Sequence, residues 1–563
     1  MMMRKNRIWV IEAPGKVDSL RAALKDAGFL HDRILATYGR LYDLPEDRLA
    51  LDPNNPHIVA WQAKRPDQIR KLKGLIESAD EVLIATDSDI EGELIASQVA
   101  HLCQKDQIVD RVHLVGFSAE HVEQAELNRM RIDADRVCAA KARRLFDRHL
   151  GFMLTSEEDK WRMSMGRITT PVVRSLQDDP AEAVVLDKAL PDGWHAIMRL
   201  PTTQSVHAET VLGLLHALPT PIIEVAHQQQ QVFECKPLTG PEALSLCCRS
   251  LKAPLDSVLD SLQRNYEKGK LSYPRSDSRK LGEVSMRWAE RMAQVYSRPF
   301  DREVAAVRQG EKLARSYEAH EAVMPMVEDV PDSSIPTSSL STDEAVLRVI
   351  AMHSMRLGEP GEQFTRETGK LHLNEDGRRW EHVLRSWKGS LEFVRDTDAE
   401  GASKHPLRNE LARPADTHQA GVSLWRHEVG QVVMERLIRE ELGRPSTIKI
   451  HAQKTAHNYL DRYGVVNGRG QLMLKLVAER APELVKPLVA VKIEEVLTQK
   501  APGLSIDARL QSAWKVLKQA PLGSTGKSKG HTPTPPASIQ QPVEVVVETT
   551  PGHTDMDTSP SPI

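Results

Sequence analysis

Glu81-Val82-Leu83-Ile84-Ala85-Thr86-Asp87-Ser88-Asp89-Ile90-Glu91-Gly92-Glu93 is the stretch on which the fold turns. Its opening run is short and apolar, as in a buried strand. Carboxylates follow at alternate positions, and a helical pattern continues through Leu94–Cys103. Upstream, Ile8-Trp9-Val10-Ile11 is a second short apolar run. It ends at Glu12-Ala13-Pro14-Gly15-Lys16, and a helical segment follows over Val17–Ala27. Downstream, Arg111-Val112-His113-Leu114-Val115 predicts a third buried strand. Buried strands alternating with helices define an α/β layer with a largely parallel sheet, whose functional groups gather at the carboxyl ends of its strands. Both polar clusters stand at such ends.

Farther on, the pattern changes. From about Asp133 to Leu176 it is helical and rich in arginine, with Lys141, Arg143, Arg144, Arg148, Arg162, Arg167 and Arg174. Strand-like pieces run to about Phe233. A helical region carries Leu244–Tyr266 and ends at the turn Glu267-Lys268-Gly269-Lys270. Gly369–Asp398 is β-rich, with strands expected at Leu371-His372-Leu373 and Leu391-Glu392-Phe393-Val394, and helices resume near Trp425. Beyond about Pro521, proline, serine, threonine and glycine dominate, which predicts a disordered tail. Its Gly526-Lys527-Ser528 is no phosphate loop, because Pro521 stands where the required glycine belongs.

With 563 residues the chain has room for several domains of roughly 100–200 residues each. No apolar run approaches the ~20 residues that span a bilayer, and Met1–Arg7 leads straight into a strand, so a cytoplasmic protein without a membrane role is expected. The five cysteines, Cys103, Cys138, Cys235, Cys247 and Cys248, form no CxxC pair, so neither a zinc ribbon nor a disulfide framework is expected. A net charge of −3 neither advertises nor excludes a nucleic-acid partner, since acidic and basic groups can be segregated.

Four clusters carry chemistry. Asp87, Asp89 and Glu91 can converge on one side of an extended turn, where mutual repulsion favours a hard cation such as Mg²⁺; a solvated acidic turn is the other reading. Glu12 and Lys16 can supply a proton donor and a phosphate contact, or a plain surface ion pair. In Leu271-Ser272-Tyr273-Pro274-Arg275-Ser276-Asp277-Ser278, Tyr273 is a phosphoryl nucleophile candidate, or a tyrosine in a turn stiffened by Pro274. A phenol with a reference pKa of about 10 needs nearby positive charge, and Arg275 can provide it. His320, in Ala319-His320-Glu321-Ala322, can donate to a phosphate oxygen, or be a structural histidine.

In this order, the clusters resemble the motifs of the type IA DNA topoisomerase family over roughly residues 8–500. Ile11–Lys16 and Thr86–Glu93 look like the two Toprim motifs. Ala142-Arg143-Arg144-Leu145-Phe146-Asp147-Arg148 and Met165-Gly166-Arg167-Ile168-Thr169-Thr170-Pro171 resemble the DNA-gate helices. Ser272–Ser278 matches the nucleophile motif, Ala319–Ala322 the histidine motif, and Gly443-Arg444-Pro445-Ser446-Thr447 a late strand-binding motif.

The resemblance implies a multidomain α/β and α+β chain: an N-terminal Toprim α/β domain, then helical and β-rich domains closing a toroidal core. The expected divisions are 1–140 for Toprim, 141–185 and 418–520 for a helical DNA-binding domain, 186–235 and 359–417 for a β-rich arch, 236–358 for the helical domain bearing the tyrosine, and 521–563 for the tail. It implies that Tyr273 attacks a phosphodiester and becomes joined to the 5′ phosphate, with Glu12 exchanging a proton with the 3′ oxygen. Asp87, Asp89 and Glu91 would hold Mg²⁺, and Lys16, Arg275 and His320 would stabilise the phosphate. Arg143, Arg144, Arg148, Arg167, Ser272, Arg444, Ser446 and Thr447 would contact DNA. The implied partner is single-stranded or negatively supercoiled DNA, handled by a monomer without ATP or zinc, and the tail is left to bind a further partner.

Three positions depart from the family pattern: Ile90 where arginine is usual, and Lys141 and Thr169 where glutamine is usual. They put DNA contacts in doubt more than the reaction. A Toprim primase or nuclease, or a non-catalytic DNA-binding relative, is the alternative. The first needs no Tyr273, and the second predicts damaged motifs.

Overall fold

The computed structural model describes residues 6–519 except 46–48, 50–58, 156–162, 180–181, 202–203, 205–206, 218–221, 310–320, 373–381, 383–385, 388–389, 408–415, 419–421, 427 and 445–446. His320, Ser446 and the tail expected over 521–563 lie outside the described residues.

The N-terminal part runs β1 (Arg7–Ile11), α1 (Val17–Asp26), β2 (Arg33–Ala36), β3 (Tyr42–Asp43), β4 (Gln62–Ala63), α2 (Pro66–Ile76), β5 (Glu81–Ile84), α3 (Ile90–Ala100), β6 (Ile108–Arg111) and α4 (Ala119–Leu127). β2-β1-β5-β6 form one parallel sheet, and β3 and β4 pair beside it. The runs are continuously apolar because both sheet faces are covered. Ile8 and Val10 pack with Leu72, Ile76 and Ile95 on one side. Trp9 and Ile11 pack with Leu20, Leu24 and Val122 on the other.

The third strand is β6, three residues earlier than the expected Arg111–Val115. Its last residue, Arg111, is fully buried. The Arg111 Nε donates to Glu93 Oε2 at 3.0 Å, and the remaining nitrogens donate to the carbonyls of Ile84, Thr86, Asp87 and Val112 at 2.8–3.0 Å. An inward arginine whose donors are used in this way ends the ladder and ties the strand ends together.

Next come α5 (Ala134–Leu154) and α6 (Thr169–Asp178), then β7 (Glu182–Ala189), β8 (His195–Pro201), α7 (Ala208–His216) and β9 (Ile222–Phe233). Helices α8 (Gly240–Leu251), α9 (Leu255–Glu267), α10 (Glu283–Val295), α11 (Arg302–Val307) and α12 (Thr342–Ser354) follow. The chain then returns to strands β10 (Glu362–His372), β11 (Ser390–Asp398), β12 (Ser403–Lys404), β13 (Asp416–His418) and β14 (Val422–Arg426). It closes with α13 (Val429–Arg439), α14 (Ile448–Tyr459), α15 (Gly468–Arg480), α16 (Pro487–Thr498) and α17 (Ile506–Leu517).

β7–β14 make one antiparallel sheet, ordered β13-β14-β7-β8-β11-β10-β9 with β12 beside β11. Strands before and after the tyrosine-bearing helices therefore share one sheet. The largest core joins α5, α6, α8, α9 and α12 to α13–α17, with Leu145, Val172, Leu262, Leu347, Val433 and Val477 in contact and Phe146 4.7 Å from Trp514. Segments far apart in sequence are thereby locked around the loop Leu271–Gly282, which carries Tyr273. Among the described residues no helix is long and apolar enough to cross a membrane.

Candidate active site

The acidic turn between β5 and α3 is built by its own residues. Asp89 caps α3, its Oδ1 accepting from the Gly92 N–H at 2.8 Å. Thr86 Oγ1 donates to the Gly92 carbonyl at 2.7 Å. A Cβ at position 92 would lie 1.8 Å from the Asp87 carbonyl oxygen, so the turn needs glycine there. Arg111 and Arg136 hold the carbonyls of Asp87 and Ser88 from below, at 2.8 and 2.5 Å. Ile90, in place of arginine, is buried against Leu94, Val137 and Ala140 and fixes α3 on α5.

Glu12 follows β1, and Lys16 ends the single 3₁₀ turn Pro14–Lys16. Lys16 is buried, pairs with Asp87 and sits 4.6 Å from the ring centroid of Tyr266. Tyr266, at the end of α9, meets Tyr273 edge-on with centroids 5.4 Å apart. The loop that carries Tyr273 is pinned from both sides. Ser272 Oγ donates to the Ala322 carbonyl at 2.9 Å and accepts from Met324 N at 2.8 Å. Gly240 N donates to the Ser276 carbonyl at 2.7 Å, and a Cβ at Gly240 would lie 2.2 Å from the Pro274 oxygen. Held this way, Tyr273 donates its hydroxyl to Asp89 Oδ2 at 3.2 Å.

These groups open onto a cleft of about 370 Å³. Glu12, Asp87, Asp89, Glu91, Tyr273 and Arg275 line it together with Arg143, Arg144, Asp147 and Thr447. Tyr38, Arg40, Lys64 and Arg65, which sequence reasoning missed, complete the wall. The β3–β4 pair carries no motif that marks it. Tyr266 was missed too, because its role arises only through contact with Lys16 and Tyr273.

Electrostatically the acidic side is overloaded. Burial, then Asp87 and Asp89, push the Glu12 carboxyl up to about 8, against the pull of Lys16 and Arg275. Burial and the same two aspartates raise the Tyr273 phenol well above its ordinary value, with Arg275 opposing. Burial works against the Lys16 charge, but Asp87 and Tyr266 more than offset it and hold it protonated. A set of oxygen donors that forces one of its members to keep a proton suits a hard divalent cation.

The carboxylates do not, however, converge as expected. Among the described residues, the group with ligand atoms all within 4.8 Å is Asp187, His195 and His405 in the antiparallel sheet, not Asp87, Asp89 and Glu91. Asp89 is engaged with Gly92 and Tyr273, Asp87 with Lys16, and Glu91 lies 3.7 Å from Arg40 Nε. The histidine group is satisfied without an ion. Leu407 N–H donates to His405 Nδ1 at 3.2 Å, which leaves the proton on Nε2, 3.1 Å from Asp187.

Four of the residues expected to contact DNA are engaged within the protein itself. Arg167 is buried, bound to Asp147 at 2.6 and 3.1 Å and to Glu494 at 2.5 Å. Arg444 also pairs with Glu494, 50 residues along the chain. Ser272 is buried and pins the loop. Arg148 donates to the Pro45 carbonyl and does not line the cleft. Charge and motif position alone could not separate arginines that face solvent from arginines that brace helices. Arg143, Arg144 and Thr447 do reach the cleft, with Arg144 held by Asp43 at 2.8 and 2.9 Å. Arg143 keeps Nε and Nη1 buried without a hydrogen-bond partner among the described residues, with Glu494 3.7 Å away.

The Toprim domain family matches residues 7–118. The plasmid DNA topoisomerase I of Xylella fastidiosa (strain 9a5c) is 33% identical over 180 residues, 31% of this chain and 26% of that protein. DNA topoisomerase 1 of Aquifex aeolicus (strain VF5) is 23% identical over 346 residues, 58% of this chain and 63% of that protein. The chain thus spans less than two thirds of the length of these relatives. Full-length topoisomerase I from Thermotoga maritima superposes with a TM-score of 0.60 at 17% identity, covering 91% of this chain and 89% of that one. Residues 7–118 therefore match the Toprim domain, and the chain shares the fold of that topoisomerase I structure. The family resemblance carried by its motifs stands.

Proposed function

We propose that the protein is an ATP-independent type IA DNA topoisomerase, which cuts one strand through Tyr273, passes another strand and reseals the first. The observation that carries this reading is the Tyr273 hydroxyl on Asp89, in one cleft with Glu12 and Arg275. Tyr273 Oη attacks the scissile phosphorus; the P–Oη bond forms and the bond from phosphorus to the 3′ oxygen breaks. The phenolic proton passes to Asp89, and Glu12, protonated at neutral pH, gives its proton to the leaving 3′ oxygen. Reversal of both transfers reseals the strand. One phosphoester replaces another, so no nucleotide is consumed.

Asp87, Asp89 and Glu91 are the residues to hold Mg²⁺, whose positive charge would relieve the crowding that keeps Tyr273 protonated and would position the ends for resealing. Lys16 and Arg275, with His320, stabilise the phosphate as charge moves. Arg143, Arg144 and Thr447 contact the strand. The substrate is single-stranded or negatively supercoiled DNA, met by a monomer in the cytoplasm.

The test is negatively supercoiled plasmid with Mg²⁺ and no ATP, beside Tyr273→Phe. Stepwise relaxation by wild type alone is expected. Equal nicking by both proteins would instead establish a Toprim nuclease.

A further inference from the structure

Tyr38 stands at the lip of the cleft in a conformation that its side chain does not favour. Its φ is 58°, in the left-handed region. Among the described residues the other non-glycine positive φ values are at Asp192, Lys252, Ser297, Glu441 and Lys518. Asp192 sits in a hairpin turn, and the remaining four follow helix ends, where such values are ordinary. Tyr38 does neither. Two backbone bonds impose the geometry: Thr37 N to the Ile11 carbonyl and Tyr38 N to the Glu12 carbonyl, both 2.9 Å. Gly39, at φ 88°, completes the turn.

So held, the tyrosine is 48% exposed and belongs to no apolar core. The Arg65 guanidinium lies 5.9 Å from its ring centroid and donates to its carbonyl at 2.7 Å. Arg40, Lys64 and Arg65 line the same wall of the cleft as Tyr38. A turn of this kind forms with less strain around asparagine or glycine, so the turn does not explain the aromatic ring.

We propose that Tyr38, with Arg65, is a stacking platform for one unpaired nucleobase near the scissile phosphate, and so helps to set where the strand is cut. The proposal rests on the topoisomerase reading. Single-stranded bases stack on aromatic and guanidinium planes while neighbouring cations follow the phosphates, and Tyr38, Arg65, Arg40 and Lys64 supply both. Strained residues persist where a ligand clamp uses them.

The test uses the full chain and a set of single-stranded oligonucleotides, each with one abasic site at successive positions around a cleavage site. Both binding and covalent adduct are read. Wild type should lose about 5- to 100-fold in affinity at one position. Tyr38→Ala should bind the intact strand that much more weakly and be indifferent to that abasic site. Tyr38→Phe, which keeps the ring, should behave as wild type. Equal sensitivity in Tyr38→Ala and wild type, or no sensitive position in wild type, overturns the platform while adduct formation leaves the topoisomerase reading standing. Absence of adduct from wild type on every oligonucleotide overturns that reading, and this proposal with it.

Discussion

Two buried charge clusters meet at the cleft, and their balance is opposite. In the first, Glu12, Asp87 and Asp89 outnumber Lys16 and Arg275, and Glu12 is forced to keep a proton up to about 8. In the second, Arg143, Arg167 and Arg444 surround Glu494. Burial opposes the Glu494 charge, yet the three guanidinium groups hold its carboxyl well below the ordinary range. The acidic cluster holds more carboxylates than cations, whereas in the basic cluster three arginines face the two carboxylates Asp147 and Glu494. A strand phosphate accompanied by a divalent ion would offset both imbalances. Neither cluster is a stability device: ion pairs buried this deeply roughly break even against desolvation. Their imbalance is the informative part.

Removing the one group that joins the acidic cluster to covalent chemistry should have the largest effect. Tyr273→Phe should lower adduct formation on the order of 10⁴-fold or more, as loss of a nucleophile does. Single-strand affinity should be unchanged, because the ring stays in place against Tyr266. A labelled oligonucleotide run on a denaturing gel reads the adduct; an adduct of wild-type yield would locate the nucleophile elsewhere. On the basic side, Glu494→Gln leaves three arginines facing one another and should destabilise the protein by about 3–5 kcal/mol. Chemical or thermal unfolding measures this. A loss below about 1 kcal/mol would mean that Asp147 and solvent take over as partners.

The two clusters were unequally legible in the sequence. The acidic side stood in contiguous motifs, since a strand end, a turn and a helix cap must be adjacent in the chain. Its position after a buried apolar strand placed it correctly on a parallel sheet. The basic side is assembled from α5, α16 and the segments after α5 and α13, and Glu494 reads as any glutamate in a helix. Nothing local marks it as the counter-ion of arginines 50, 327 and 351 positions away. The same limit hid the intramolecular partners of Arg167, Arg444 and Ser272. The shift of β6 has a similar origin: Arg111, expected to open the buried strand, ends it, because its donors are spent on Glu93 and the carbonyls at the sheet ends.

Of the three arginines in the basic cluster, Arg143 alone lines the cleft. If Arg143 meets a strand phosphate in the cleft, Arg143→Ala should weaken single-strand binding by about 10- to 100-fold and reduce the salt slope by about one. Titrations at several salt concentrations separate the alternatives. Weaker folding with an unchanged slope would make Arg143 a brace like Arg167.

The smallest effect should be the pH dependence that Glu12 imposes, and its sign follows from the direction of the shift. The unfolded chain releases this proton near 4.5, but the folded protein keeps it to about 8. Between those values the native state binds more protons than the unfolded one, so this group's stabilising contribution is full at acid pH and fades as pH rises through about 8. Glu12→Gln, neutral throughout, should therefore gain on wild type as pH rises, which unfolding temperatures between about pH 5 and pH 9 would reveal. Cleavage should follow the same proton, falling by up to about tenfold per pH unit above the midpoint, because an ionised Glu12 cannot protonate the leaving oxygen. Added divalent cation should move that midpoint down, since charge placed among Asp87, Asp89 and Glu91 favours the ionised carboxyl. A midpoint indifferent to the cation would detach Glu12 from Asp87, Asp89 and Glu91 and leave burial as the cause of its shift.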